Sequence, residues 1–164
     1  DGEQYVAVAA GWGGSGGVGA TGDTQTALQK YGNNQGRIFA FKLGGKQQIA
    51  ALPSETPQNL PKPPDEKIDT ATAAKGFDLF HRHCAVCHGV LLLSSGEVPD
   101  LRSVRPEIWG QYDDIVLGGA LADAGMASFK DLLNKDDVAA IRAYVLQQAH
   151  VAWDAKQKAK AKPH

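Results

Sequence analysis

Apolar positions change their spacing along this chain. In Tyr5-Val6-Ala7-Val8-Ala9-Ala10 and again in Arg37-Ile38-Phe39-Ala40-Phe41-Lys42-Leu43 they fall in short runs rich in β-branched and aromatic residues, which predicts two strands. A glycine-rich loop from Gly11 to Gly36 separates them. Two strands do not make a stable sheet alone, so these need further strands or another layer to cover them. From about Lys67 the spacing lengthens to that of a helix. Ala73, Gly76, Phe77 and Phe80 recur on one face after Asp69 or Thr70, either of which can cap a first turn. Pro106 starts a short helix carrying Ile108 and Trp109, and Asp113-Asp114-Ile115-Val116-Leu117 opens another that Gly118-Gly119 ends. Asn134 caps a last helix, with Asp137 three residues on and Val138, Ile141, Tyr144, Val145 and Ala149 along one stripe. The expected organisation is a strand segment over 1–45, a linker over 46–66, a helical domain over 67–150 and a basic tail over 151–164. The fold class is mainly α, with a β-strand pair in front. The linker stretch from Pro53 to Pro64 includes Pro57, Pro61 and Pro63, a composition suited to an extended, semi-rigid connector.

Both cysteines of the chain lie in Cys84-Ala85-Val86-Cys87-His88, at the end of the first helical pattern. The C-x-x-C-H spacing lets two thiols add covalently to a haem while the adjacent imidazole takes the iron. Other chemistries fit less well. A structural zinc site needs four ligands, and no second cysteine pair or His-x3-His run follows. A redox dithiol calls for a βαβ context, and a disulfide here would close only a tiny loop. The only methionine, Met126, sits in Asp123-Ala124-Gly125-Met126-Ala127-Ser128-Phe129, in a loop between two helical patterns. As the second axial ligand its thioether gives His/Met iron, the coordination of electron carriers; as a core residue it merely fills a gap. His81 and His83 are too near Cys84 to reach across a haem plane. His150 and His164 fall late in or beyond the last helix and are expected to face solvent. Val90-Leu91-Leu92-Leu93 reads as haem wall rather than membrane anchor. A small helical domain has a limited core, and a covalently held, apolar haem would be a large part of it.

Gly76 and Phe80 ahead of Cys84, Cys87 and His88, then Pro99-Asp100-Leu101, Met126, and Ile141 with Tyr144 on the last helix, resemble the pattern of class I cytochromes c in the same order. That resemblance implies a cytochrome c helical domain with covalent haem c, iron ligated by His88 and Met126, and the Pro99 carbonyl accepting a hydrogen bond from the ligating imidazole. By analogy with related domains, Arg102 and Trp109 meet haem propionates; the alternatives are a surface arginine and a core tryptophan. Ala127 follows the methionine where the family frequently has proline, a departure that bears on loop rigidity rather than on ligation.

The first third carries Gly14-Ser15-Gly16-Gly17-Val18-Gly19, a literal G-x-G-x-x-G after a strand. A dinucleotide site also needs an amphipathic helix and an acid at the end of the next strand. Here Thr21 to Asn34 is polar and glycine-broken, and no acid follows Phe41 until Glu55. Instead, Tyr5 to Gly14, a polar loop and Gly36 to Leu43 resemble the closing stretch of the propeller of quinohaemoprotein alcohol dehydrogenases. Those enzymes hold pyrroloquinoline quinone (PQQ) and calcium in the propeller and carry a cytochrome c domain behind a proline-rich linker. The resemblance covers nearly the whole chain and implies that it is the C-terminal part of such an enzyme. Substrate base, calcium ligands and most quinone contacts would then precede Asp1, and this chain would hold no catalytic residue. Trp12 and Gly13 either approach the quinone edge or pack within a blade.

With 17 Lys and Arg against 18 Asp and Glu, the net charge of −1 argues against a general binder of nucleic acid or membrane surface. No apolar run is long enough to span a bilayer. The tail Lys156-Gln157-Lys158-Ala159-Lys160-Ala161-Lys162 is expected to be solvated and disordered, with steering toward an acidic redox partner as the alternative. With 164 residues there is room for one small domain and an appendage, far short of a propeller. Asp1, with no initiating methionine or signal sequence before it, fits a processed or truncated chain. The expected partners are the PQQ propeller, as domain or separate chain, and an external acceptor such as a cytochrome or an azurin-like protein, in the periplasm. Two rival readings are a free-standing periplasmic cytochrome c carrier, whose strands would pack on the helical domain, and a haem enzyme or gas sensor, which needs an open axial site.

Overall fold

The computed structural model describes residues 2–10, 37–49, 60–92 and 98–161. The Gly14–Gly19 motif, Trp12, Gly13, Pro53, Pro57 and the last three residues lie outside the described residues.

β1 (Tyr5–Ala10) and β2 (Arg37–Lys42) pair antiparallel, with Tyr5 opposite Lys42, Val8 opposite Phe39 and Ala10 opposite Arg37. Lys42 also pairs with Glu3, which together with the Tyr5 hydroxyl holds that carboxyl below its usual range. Among the described residues no further strand joins them. Side chains of both faces are open to solvent: Tyr5 on one, Val6 and Val8 on the other, with Ile38 80% and Leu43 90% exposed. Among the described residues the strands thus leave most of their side chains in solvent, whereas a free-standing carrier would need them packed on the helices.

The helical part is built on α1 (Thr70–His83) and α4 (Lys135–Ala161), whose contact is the most extensive in the chain. Asp69, rather than Thr70, caps α1: its carboxylate accepts from the Thr72 amide and hydroxyl, both at 2.7 Å. Asn134 caps α4, its side-chain oxygen accepting from the Asp137 amide at 3.0 Å while Asp137 accepts from the Asn134 amide at 3.2 Å. Lys75 of α1 then reaches Asp137 at 2.7 Å. The helices cross at Gly76, where a Cβ would run into the Ala140 carbonyl and stand 3.0 Å from the Tyr144 Cβ. Only glycine lets the two backbones come this close. Below the crossing Phe80 and Tyr144, both fully buried, meet with ring centroids 5.5 Å apart, and Val138, Ile141, Val145 and Ala149 complete the expected stripe.

Between these helices come α2 (Ala85–His88), α3 (Tyr112–Val116) and short 3₁₀ turns at Val90–Leu92, Leu101–Ser103, Pro106–Ile108 and Ala122–Ala124. Leu92, fully buried, closes the first of these turns at φ +65°, a left-handed conformation that a branched side chain adopts only when its surroundings impose it.

Two expectations need correction. The basic tail is not disordered up to Lys162: α4 runs through Ala161, about 40 Å in all. Its Ala, Gln and Lys residues are strong helix formers, and Lys158 and Lys160 fall in the last turn, where cations complement the helix dipole. His150 is not a solvent-facing histidine: it is half-buried, and its Nε2 donates to the Pro64 carbonyl at 2.9 Å. It receives the last part of the proline-rich stretch, where Pro63 is buried and Ile68 packs on the core.

Candidate functional site

α1 ends at Cys84, whose amide still bonds the Phe80 carbonyl at 2.8 Å, and one further turn carries the rest of the motif. The His88 amide bonds the Cys84 carbonyl at 3.0 Å, so thiol and imidazole stand on the same side of that turn. Gly89, at φ +80°, lets the chain leave the turn sharply behind the imidazole. Cys84 is buried and Cys87 exposed, and the two are not bridged. Burial, and secondarily the neighbouring Cys87, pushes the Cys84 thiol up to about 11. A raised thiol pKa makes Cys84 a poor nucleophile on its own. Among the described residues no three of His, Cys, Asp and Glu gather as a set of metal ligands.

His88 Nδ1 lies 3.4 Å from the Pro99 carbonyl oxygen, a long hydrogen bond in which only the ring nitrogen can donate. Nδ1 thus carries the hydrogen and Nε2 keeps its lone pair. Burial lowers the imidazole pKa, against the opposing effect of Pro99, and favours the neutral ring that a metal requires. Pro99 is held by the turn after it. The Asp100 carboxylate accepts from the Arg102 amide at 2.9 Å, the Ser103 hydroxyl donates to the Asp100 carbonyl at 2.7 Å, and Arg102 Nε returns to the Asp100 carboxylate at 3.0 Å. Arg102 is accordingly a partly buried ion-pair partner.

Trp109 and Tyr112 stack at 5.8 Å with their planes 11° apart, both buried in the cluster that also holds Phe80, Cys84 and Leu92. Trp109 Nε1 and the Tyr112 hydroxyl are each buried without a hydrogen-bond partner. His81 Nε2 and the Tyr144 hydroxyl are likewise unpartnered, and on the stacked pair such buried donors mark a place where a polar group of a ligand would be satisfied. Desolvation also raises the Tyr112 pKa, keeping the phenol protonated as a donor.

Met126 is half-buried against the same cluster. Its loop is pinned despite the alanine that follows: the Met126 amide bonds the Leu121 carbonyl at 3.1 Å, the Ser128 hydroxyl the Leu117 carbonyl at 2.6 Å, and the Phe129 amide the Val116 carbonyl at 2.8 Å. Those bonds supply the rigidity that a proline after the methionine would have given. One core cluster therefore holds the Cys84 thiol and the two unmatched donors, with the Met126 thioether packed against it; with the exposed Cys87 thiol and the oriented His88 imidazole on the adjoining turn, these are the residue types a covalent haem requires. The residues fit the group.

Tyr112, Glu66 and Arg142 belong to this neighbourhood but were not singled out from sequence. Arg142 carried a usable signal, since it falls four residues after Val138 on the apolar stripe of α4, where a charge needs a buried partner.

A cytochrome c family model matches residues 73–149. The chain is 38% identical over 152 residues to quinohemoprotein alcohol dehydrogenase ADH-IIG of Pseudomonas putida, covering 92% of this chain and 20% of that protein. It is 35% identical to ADH IIB of the same organism, covering 96% of this chain and 22% of the relative. The solved structure of ADH-IIG superposes with a TM-score of 0.73 at 34% identity, over 98% of this chain and 23% of that one. The chain thus spans about a fifth of the length of the relatives it matches.

Proposed function

Because this chain carries a cytochrome c domain homologous to the cytochrome c region of quinohaemoprotein alcohol dehydrogenases, we propose that it takes electrons from reduced PQQ in a propeller and hands them to an external acceptor. As a cytochrome c domain it is an electron-transfer unit with covalent haem c. The bound haem supplies a one-electron couple, so the two electrons released by an alcohol leave in two successive transfers.

This chain's residues hold and tune that group. Cys84 and Cys87 tether it. His88, whose Nδ1 hydrogen bond to Pro99 leaves Nε2 free to ligate, would hold the iron on one side. Met126 would be the second ligand, and a thioether there would leave the iron no open position for substrate. The unmatched donors of Trp109 and Tyr112 would suit a propionate, to which Arg102, already neutralised by Asp100, would be a weaker contributor. The propeller, the alcohol and the external acceptor, an azurin-like protein or another cytochrome, belong to the whole enzyme, which works in the periplasm. β1 and β2 supply the propeller's last strands, residues 46–66 the connection, and 67–150 the haem domain.

The observation that supports the reading is a core cluster that holds Cys84 and two orphaned donors, with Met126 packed against it and His88 one turn on from Cys84. Its test is the visible spectrum of the haem-loaded chain. A sulfur-to-iron band at the red end that disappears in Met126→Ala is the expected result. Absence of that band, with ready carbon monoxide binding by the unmodified chain, would mean an open axial site and overturn the electron-transfer assignment.

A further inference from the structure

Arg142 joins three segments that no backbone ladder connects. Its Nε donates to the Trp109 carbonyl at 2.8 Å, and its two terminal nitrogens each donate to a separate oxygen of Glu66, both at 2.8 Å. The guanidinium also sits 5.6 Å from the centre of the Trp109 ring. This arrangement uses the full planar fork of arginine, which a lysine ammonium cannot reproduce. Farther along the same helix His150 holds the Pro64 carbonyl, with Pro63 buried beside it. The polypeptide leading into α1 is therefore clasped to α4 at two points. One of those clasps also grips the backbone of Trp109, which is buried in the same cluster as Cys84.

We propose that Arg142 is a positioning residue for electron delivery: it locks the strand of chain that enters the helical domain to the buried Trp109, and so holds the haem at one attitude toward the donor carried by the preceding chain. The inference rests on the reading that this donor is a quinone-loaded propeller. A clasp on the incoming chain matters because a domain tethered by a connector otherwise samples many distances and orientations, and a bidentate arginine clamp restricts them to the productive ones. The same charge placed without the fork would not do so.

The test uses the complete protein, with propeller, haem and quinone in place, carrying Arg142→Leu, Arg142→Lys or Glu66→Gln. Haem reduction is followed by rapid-mixing absorbance after adding excess alcohol, and separately after adding ascorbate, which needs no internal donor. Arg142→Leu and Arg142→Lys are expected to slow the alcohol-driven phase by roughly tenfold or more, and Glu66→Gln by less. The ascorbate-driven phase and the red-end absorption band should stay as in the unmodified protein, while tryptic cleavage after Lys67 accelerates. Should the alcohol-driven rate be unchanged although cleavage accelerates, or should Arg142→Lys restore it, the positioning role is wrong. Loss of the band or a slowed ascorbate phase would instead assign Arg142 to general support of the pocket and overturn it equally. Glu66→Gln, at a half-exposed site, keeps the test open if the arginine variants do not fold. Failure of the unmodified protein to reduce its haem with alcohol sinks the donor reading itself, before any variant is compared.

Discussion

The strand pair and the helical domain solve the burial of apolar surface in opposite ways. In the helical domain Phe80, Leu92, Val138, Tyr144 and Val145 are closed off within the chain, in one core cluster with Cys84. In the hairpin Val6, Ile38, Phe41 and Leu43 face solvent on two faces of the sheet, and among the described residues no further strand pairs with either edge. A ribbon of that kind is at most marginally stable in water, and its exposed edges invite pairing. The difference teaches that one covalent chain holds one unit that closes its own core and, among the described residues, one strand pair that does not. The closed unit carries the chemistry, and the strand pair carries the information about what it is joined to.

The sharpest way to break this comparison is to substitute the same kind of residue in both regions. Gly76→Val in the haem-loaded chain pushes a branched side chain into the Ala140 carbonyl at the α1–α4 crossing, where backbone leaves no room to yield. A loss of at least about 3 kcal/mol in denaturant unfolding, or no folded protein at all, is expected. Phe80→Ala, at a fully buried ring, is expected to cost about 3–5 kcal/mol. Phe41→Ala, on the open hairpin, should change the unfolding of this chain by less than about 0.5 kcal/mol. A Phe41 effect approaching that of Phe80 would show that the hairpin is packed after all and would erase the contrast between the two regions.

How legible each region is in the sequence follows from where its constraints lie. The helical domain is set by local signals: the Asp69 and Asn134 caps, the stripe from Val138 to Ala149, and a covalent attachment motif confined to five consecutive residues. These survive reading in one dimension, and the candidate haem ligands can be named in the same way, because such residues are chemically rare in this chain. What escaped are the long-range polar contacts. Glu66 and Arg142 meet across 76 residues, and His150 meets Pro64 across 86. No periodicity announces such a meeting, although a charge on the apolar stripe hints at one. The tail was misread because its charge pattern resembles that of a disordered segment, while the helix it extends had already met the cost of nucleation. For the hairpin, the strands were visible but their stability was not, because it depends on surfaces outside these residues.

A smaller effect sharpens the account of the helical unit. Asn134→Ala removes the oxygen that satisfies the Asp137 amide at the start of α4 and should cost about 1 kcal/mol in denaturant unfolding. Asn134→Asp should restore most of it, since a carboxylate caps as well and complements the helix dipole. A loss in both variants alike would mean that tertiary packing, not the cap, fixes where α4 begins.

The smallest expected effect tests the clasp itself. Arg142, chiefly by hydrogen bonding, holds the Glu66 carboxyl below its ordinary range. Because the folded pKa is the lower one, the pair stabilises the fold at pH values above the carboxyl's unfolded pKa of about 4.3, and that contribution disappears as pH falls through the folded value. The pair is half-exposed on the glutamate side, so solvent screening limits the contribution to about 1 kcal/mol or less. Unfolding midpoints of the unmodified chain and Glu66→Gln should therefore differ by a constant amount between pH 7 and about pH 5, then converge in more acid solution. A gap that persists at pH 3 would mean that the glutamine disturbs the packing around Pro63 rather than the ion pair. A gap absent at neutral pH would mean that His150 and the buried proline hold the incoming chain without Arg142.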